Sequence, residues 1–360
     1  MPQHRPIISR NAQTVSRIVA SALLSAAILS LVFAVPPLRR VATHIEHLQM
    51  GWVVAAIALE LASCLGFVVV FRLFFDGVAP GLARELAWTE EGSGALLPGG
   101  GVGALAIGGW FLRRTGMSAR AIVDRSSALF FLTSAVNVAA LVGGGMLLAA
   151  DPGAGRHGVL LTAMPVIGGL TAAGAVLAVP YLLHRSPRRH WPVWLVDLSA
   201  GIERARRSLA PPSWRLLGAL AYLGFDIAAL GASFAAVGHP LGAAPLALGY
   251  LIGYLANLIP IPGGFGVLEG GLAGTLIAYG APATQATAAV VVYHAVAFWI
   301  PSLGGLMGYL LLRRRLDRAP AATAPARGRD KLVSVGHHRC RDLSCVAAHD
   351  GAYASRTPPS

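Results

Sequence analysis

Inside the apolar stretch IPIPGGFGVLEGG, Ile259 to Gly271, a glutamate follows a glycine pair, and a histidine, His294, stands further along the next apolar run. Glycine pairs, prolines and a carboxyl each cost free energy in a lipid environment, so their grouping points to use. Gly263, Gly264, Phe265 and Gly266 would open a half-helix, whose first turn carries orphan N–H donors and the positive end of the helix dipole. Glycines let a ligand approach that backbone, and a lipid phosphate suits it; water or a neighbouring side chain would also satisfy the donors. Glu269 falls about one and a half turns up this half-helix, near mid-bilayer, where a carboxyl needs a partner or a proton. His294 is expected about two turns into the last apolar helix, roughly 12 Å deep by the helical rise, within reach of Glu269. A Glu–His pair there relays protons, since histidine titrates near neutral pH, or locks the half-helix to its neighbour. The spacing leaves both roles open.

Further polar groups interrupt other apolar runs: Glu60, Asn137, Asp226 and Asn257. Glu60 and Asp226 are expected either to line a shared cavity or to stay neutral and bond a backbone carbonyl. Asp124 and Arg125 stand near Arg113, Arg114 and Arg120, a cluster suited to an anionic headgroup or to anchoring at the membrane surface. Arg72, at a helix end, is expected to snorkel. The string GFGVLEG mimics a dinucleotide fingerprint, but no strand–turn–helix unit surrounds it. A late segment, HHRCRDLSCVAAH, brings His337, His338, Cys340, Cys345 and His349 together without the spacing of a standard zinc finger. No catalytic residue, metal site or cofactor is assigned. Paired acids or a metal trio at mid-membrane would favour an enzyme, and the acids read as single and scattered.

The elements that position these residues follow from composition. The chain has 360 residues, 55% hydrophobic and 12% charged, and its mean hydropathy is +0.62. That charge fraction is about half the usual one for soluble domains. Apolar runs lie at roughly 18–35, 51–75, 96–112, 126–150, 158–183, 214–237, 245–279 and 286–312, and several are long enough to cross about 30 Å of hydrocarbon. The run 96–112 opens with PGGGVG, and 245–279 is broken at Pro260 and Pro262; both read as re-entrant hairpins. The expected fold is an all-α polytopic membrane protein with six full crossings and two hairpins. The net charge of +13 comes mostly from arginines clustered before the first run, in the central loop at 184–213, and after the last run. This pattern calls for cytoplasmic loops and anionic lipid rather than nucleic acid, with both termini on the cytoplasmic side of the cell membrane. The central loop, with Trp191, Trp194, Leu195 and Leu198 among arginines, reads as an amphipathic surface helix. Residues 1–17 form a polar lead, 18–316 the membrane domain, and 317–360 a disordered basic tail.

An internal repeat organises the membrane domain. At an offset of 164 residues, LPGGGVGALAIGGWFLRRTGMSA from Leu97 overlays IPGGFGVLEGGLAGTLIAYGAPA from Ile261 without a gap. Pro98, Gly99, Gly100, Gly116 and Ala119 fall on Pro262, Gly263, Gly264, Gly280 and Ala283. The offset also carries run 51–75 onto 215–239 and run 126–150 onto 290–314, and Glu60 lands within two residues of Asp226. Repeat one spans about 18–150 and repeat two about 158–316. An odd number of crossings between the copies makes the second inverted, so one hairpin enters from each side. Such repeats, with broken helices at mid-membrane, are a transporter architecture.

The residues PGGFGVLEGGLAGTLIAYGAP, followed by VVVYHAVAFWIPSLGGLMGYLLLRRRL, resemble the hallmark of the lysylphosphatidylglycerol synthase transmembrane-region family, whose members are often called flippase-like. The likeness covers roughly 15–316, and its most specific part is the Pro-Gly-Gly-x-Gly-x-x-Glu core at 262–269. Family members commonly carry arginine after the tyrosine of the last helix; here His294 follows Tyr293. The resemblance implies lipid handling, with an anionic or polyprenyl-linked lipid as the partner. The soluble aminoacyltransferase domain of the full synthase does not fit in the residues after Leu316, so aminoacyl transfer is not expected. The alternative expectation is an accessory subunit or enzyme serving a separate membrane transferase. The expected binding residues are Pro98, Gly99, Gly100, Arg125, Asp226, Asn257, Gly263, Gly264, Phe265, Gly266, Glu269 and His294.

Overall fold

The computed structural model describes residues 48–96, 101–150, 158–185, 191–209, 213–255 and 267–318. The first expected crossing, the tips of both hairpins and the basic tail lie outside these residues. Among the described residues the chain is α-helical, without strands. The helices are α1 (Met50–Phe74), α2 (Pro80–Leu96), α3 (Gly101–Arg114), α4 (Ala119–Ala150), α5 (Gly158–Arg185), α6 (Val193–Leu209), α7 (Leu217–Ala236), α8 (Ala243–Gly253), α9 (Val267–Ala278) and α10 (Ala283–Arg318). Among the described residues, five segments are long and apolar enough to cross a membrane: Met50–Phe74, Ala119–Ala150, Gly158–Arg185, Trp214–Ala236 and Ala283–Arg315. They match five of the six crossings read from hydropathy.

Helices α1 and α7 cross at the centre and run antiparallel. The Gln49 N–H donates to the Ala236 carbonyl (3.0 Å) at one end, and Arg215 Nη1 donates to the Arg72 carbonyl (3.2 Å) at the other. Between them the Ser63 hydroxyl donates to the Tyr222 carbonyl at 2.8 Å. The helices come this close because glycines face each other: a Cβ on Gly218 would stand 2.7 Å from the Gly66 carbonyl oxygen. Without a hydrophobic drive between helices in lipid, small residues that let backbones touch supply the packing. The same device joins α2 to α10. Gly304 packs under the Trp88 ring, and Gly305 and Gly92 meet backbone to backbone.

Helices α2 and α3 fold back on each other, with Gly94 beside Ala104 and the Glu90 side chain against Gly108. The hydropathy run 96–112 therefore supplies only one arm of this hairpin; the other is α2. Its sequence ELAWTEEGSG looks like a polar loop, yet Glu85, Thr89, Glu90 and Ser93 are buried in the bundle. Helices α8 and α9 form the second hairpin, as expected. Gly249 and Gly253 lie against Leu276 and Leu272, and the Thr275 hydroxyl donates to the Gly249 carbonyl at 2.7 Å.

The two hairpins have their bases at opposite ends of the bundle. The α2/α3 base adjoins the end of α1 and the start of α4, where Arg125 Nη1 donates to the Phe74 carbonyl (2.8 Å) and pairs with Asp76 (3.1 Å). Arg315 also closes on the buried Glu85 carboxylate at this end, 2.7 Å away. The α8/α9 base adjoins the end of α7 and the start of α5, where the Tyr279 hydroxyl donates to the Leu161 carbonyl at 3.0 Å. Helix boundaries also recur at the 164-residue offset: Gly116 (φ +90°) precedes α4 and Gly280 (φ +96°) precedes α10, each three residues ahead. Contacts recur in the same way, since α2 packs on α10 and α8 packs on α4. Helix α6 lies across α4 and α5, with Gly201 against Ser127 and Phe131 and Arg204 paired to Asp124. It falls within the 184–213 loop read as an amphipathic surface helix.

Candidate functional site

The α1–α7 crossing brings Glu60 and Asp226 face to face. One turn below them is the Ser63–Tyr222 hydrogen bond, and above them Ala56 packs near Ala232. The two carboxyls are hydrogen-bonded to each other, and both residues are buried, Glu60 to 5% exposure. Three tyrosines enclose them. Tyr293, from α10, donates its hydroxyl to Asp226 Oδ1 at 2.6 Å, and Tyr250, from α8, donates to Oδ2. Tyr254 stacks at a tilt on Tyr250, ring centroids 4.6 Å apart, and its hydroxyl lies 3.4 Å from that of Tyr293. Tyr222, one turn from Asp226 on α7, hydrogen-bonds Glu91 of α2. Residues of both hairpins and both long central helices thus converge on one acid pair.

This arrangement corrects the reading of single, scattered acids. Glu60 and Asp226 are 166 residues apart in sequence, and only the antiparallel crossing joins them. Asp226 bonds tyrosine hydroxyls rather than a backbone carbonyl. Glu91, Tyr222, Tyr250 and Tyr254 were not among the residues singled out from sequence, and Tyr293 was named only as the neighbour of His294. A tyrosine in an apolar helix reads as packing; the signal that distinguishes Tyr250 and Tyr293 is a shared carboxylate, which spacing along one helix does not contain.

A second polar pair lies between α9 and α10. Glu269 Oε1 and His294 Nε2 are 3.2 Å apart, each side chain about a quarter to a fifth exposed (21% and 25% respectively). The glutamate sits in the first turn of α9, where the helix dipole favours a negative group. His294 also stacks on Phe298, with centroids 6.2 Å apart. Because α10 begins at Ala283, His294 lies about three turns in, roughly 16 Å by the helical rise, deeper than two turns. Tyr293 and His294 are neighbours in sequence and point to different acids, so α10 links the two polar centres.

Of the remaining sequence-predicted residues, Arg125 stands away from the acid pair and holds the α1–α2 connection through Phe74 and Asp76. Pro98, Gly99, Gly100, Asn257, Gly263, Gly264, Phe265 and Gly266 lie outside the described residues. Among the described residues no group of three or more His, Cys, Asp or Glu side chains is placed to hold a metal ion. Chemically, the site offers carboxyls that bind or exchange a proton, phenols that stabilise a carboxylate, and a Glu–His pair open enough to meet a ligand.

The family model described as Lysylphosphatidylglycerol synthase TM region matches residues 18–305 of this chain. No curated protein and no solved structure matches it.

Proposed function

This chain belongs to the lysylphosphatidylglycerol synthase TM region family, and we propose that it works there as a lipid carrier that moves an anionic or polyprenyl-linked lipid between leaflets. Membership makes it an integral membrane protein of lipid metabolism or transport. The finer reading is supported by one observation above the rest: two helical hairpins with bases at opposite ends of the bundle, packed around a buried acid pair. Equivalent helices α1 and α7 run antiparallel, which supports an inverted repeat of α1–α4 in α7–α10. In that arrangement the α2/α3 hairpin enters from the arginine-rich face, which is cytoplasmic under the positive-inside rule, and α8/α9 enters from the other. Rocking one repeat against the other exposes the space between hairpins to each face in turn. The headgroup phosphate is received by the glycine-rich stretch 263–266 that precedes α9 in sequence, and Glu269 with His294 responds to its charge.

Liposome reconstitution tests this. Purified full-length chain is placed in vesicles containing a headgroup-labelled anionic phospholipid, and the label reaching the inner leaflet is followed by quenching of the outer one. The proposal expects protein-dependent movement, lowered by about 10- to 100-fold in Glu269→Gln, the loss of a hydrogen bond to a charged group at the barrier. Equal movement in wild type and variant, both eluting as folded protein, contradicts the role of the pair. A second reading is favoured by the same acid pair, since two buried carboxyls also suit a membrane-embedded enzyme or the accessory subunit of a separate transferase. Mass spectrometry of the vesicle lipids decides between them: a chemically altered lipid without transbilayer movement supports the enzyme.

A further inference from the structure

The Glu60–Asp226 pair has a stoichiometric property that its geometry dictates. Ionised carboxylates only accept hydrogen bonds, so two carboxyls bonded to each other must hold a proton between them. Asp226 already accepts a phenolic hydrogen on each oxygen, from Tyr293 and Tyr250. That is the environment of a carboxylate, with its charge spread over two short donors. Glu60 is its opposite. Its Oε2 is buried with no hydrogen-bond partner among the described residues, a costly place for half of a negative charge and a tolerable one for a neutral acid.

The groups facing the pair reinforce this asymmetry. From α1 comes the buried Cys64, and from α2 come Glu91 and, behind it, Glu90. Tyr222 comes from α7, Tyr250 from α8, Tyr254 from the C-cap of α8, and Tyr293 from α10. None of the described ion pairs or hydrogen bonds joins a Lys, Arg or His to Glu60, Glu91 or Asp226. With no cation joined to them among the described residues, Glu60 and Asp226 hold together by sharing a hydrogen.

We propose that Glu60 and Asp226 form a one-proton binding site, with the proton on Glu60 and the charge on Asp226, that loads and unloads as α1 and α7 shift. Loading takes one proton from the aqueous phase onto Glu60. Unloading returns it to water when the crossing opens, leaving two carboxylates whose repulsion favours the opened state until one is reprotonated. The site thereby ties the position of the two halves to proton availability. Its use to drive lipid movement rests on the carrier reading above; the proton site itself does not.

The test uses purified full-length chain in two arms. Infrared spectroscopy in light and heavy water reads the carbonyl stretch of a protonated carboxylic acid in wild type, Glu60→Gln and Glu60→Asp. The expected result is a band near neutral pH that loses the intensity of one carboxyl in Glu60→Gln and regains it in Glu60→Asp, with all three chains eluting and melting as folded protein. An unchanged band in Glu60→Gln overturns the site, as does its absence from wild type together with a sodium-dependent rise in melting temperature. The second arm imposes a pH gradient on the vesicles. Lipid movement that responds severalfold to the gradient in wild type, and not in Glu60→Gln, supports coupling. A band that behaves as expected in a chain that moves no lipid overturns coupling and the carrier reading while leaving the proton site standing; lipid movement without the band does the reverse.

Discussion

Replacing Gly66 with alanine places a methyl group where the backbone of α7 already stands. The new Cβ would lie 2.6 Å from the Tyr222 nitrogen, 2.9 Å from the Gly218 oxygen and 3.1 Å from the Ala221 carbonyl carbon. All three are backbone atoms, so no side chain can swing aside. Restoring ordinary contact requires the helices to part by roughly 1 Å at this level. Glu60 is six residues from Gly66, about 9 Å along the helix, so the separation also stretches the carboxyl pair. Overpacking of this kind costs about 1–3 kcal/mol, which lowers the melting temperature by roughly 1–4 °C for a chain of this size. Gly224→Ala on α7 is the control, because its Cβ meets nothing within 4 Å. There the exchange adds helix propensity and stabilises by up to about 1 kcal/mol. The assay is thermal unfolding of purified protein in one detergent, followed by tryptophan fluorescence. Equal melting of Gly66→Ala and Gly224→Ala would refute the close crossing and with it the register of Glu60 against Asp226.

Two further substitutions probe the hairpins. Thr275→Val removes the hydroxyl that donates to the Gly249 carbonyl between α8 and α9 and is expected to cost about 0.5–1.5 kcal/mol, read as a lower melting temperature; an unchanged melt means the arms do not pack as described. Gly116→Ala and Gly280→Ala each force a side chain into the left-handed region, at φ +90° and +96°. Each is expected to cost about 1 kcal/mol or more, and by similar amounts, because the two turns serve equivalent places. A loss at one position and none at the other would count against that equivalence.

Most of the fold is legible in the sequence because lipid imposes a simple rule: crossings are long, apolar and helical. That rule finds α1, α4, α5, α7 and α10, and fails at α2, whose glutamates, threonine and serine face other helices rather than lipid. It also starts α4 late. Arg120, Asp124 and Arg125 look like loop residues, but Asp76 and Arg204 partner the last two at the bundle's end. The Glu269–His294 contact is foreseeable since both residues belong to one helix–turn–helix unit; the depth of His294 is not, because α10 starts at Ala283, three residues ahead of the apolar run. The Glu60–Asp226 pair is different in kind. Its partners come from α1, α7, α8 and α10, and their meeting depends on which helices glycines allow to touch. Hydropathy has no information about that choice; the facing glycines Gly66 and Gly218 do, once a crossing is supposed.

On the proposed inversion, equivalent hairpins enter the bundle from opposite faces, with the acid pair between them. Ser118 and Pro282 are equivalent at the 164-residue offset, both are exposed, and each stands at the base of one hairpin. In a chain lacking Cys64, Cys340 and Cys345, Ser118→Cys and Pro282→Cys can be labelled with a membrane-impermeant maleimide applied to sealed, uniformly oriented vesicles. Labelling of one position from outside, and of the other only after the vesicles are opened, is the predicted result. Labelling of both from the same side would rule out the inversion.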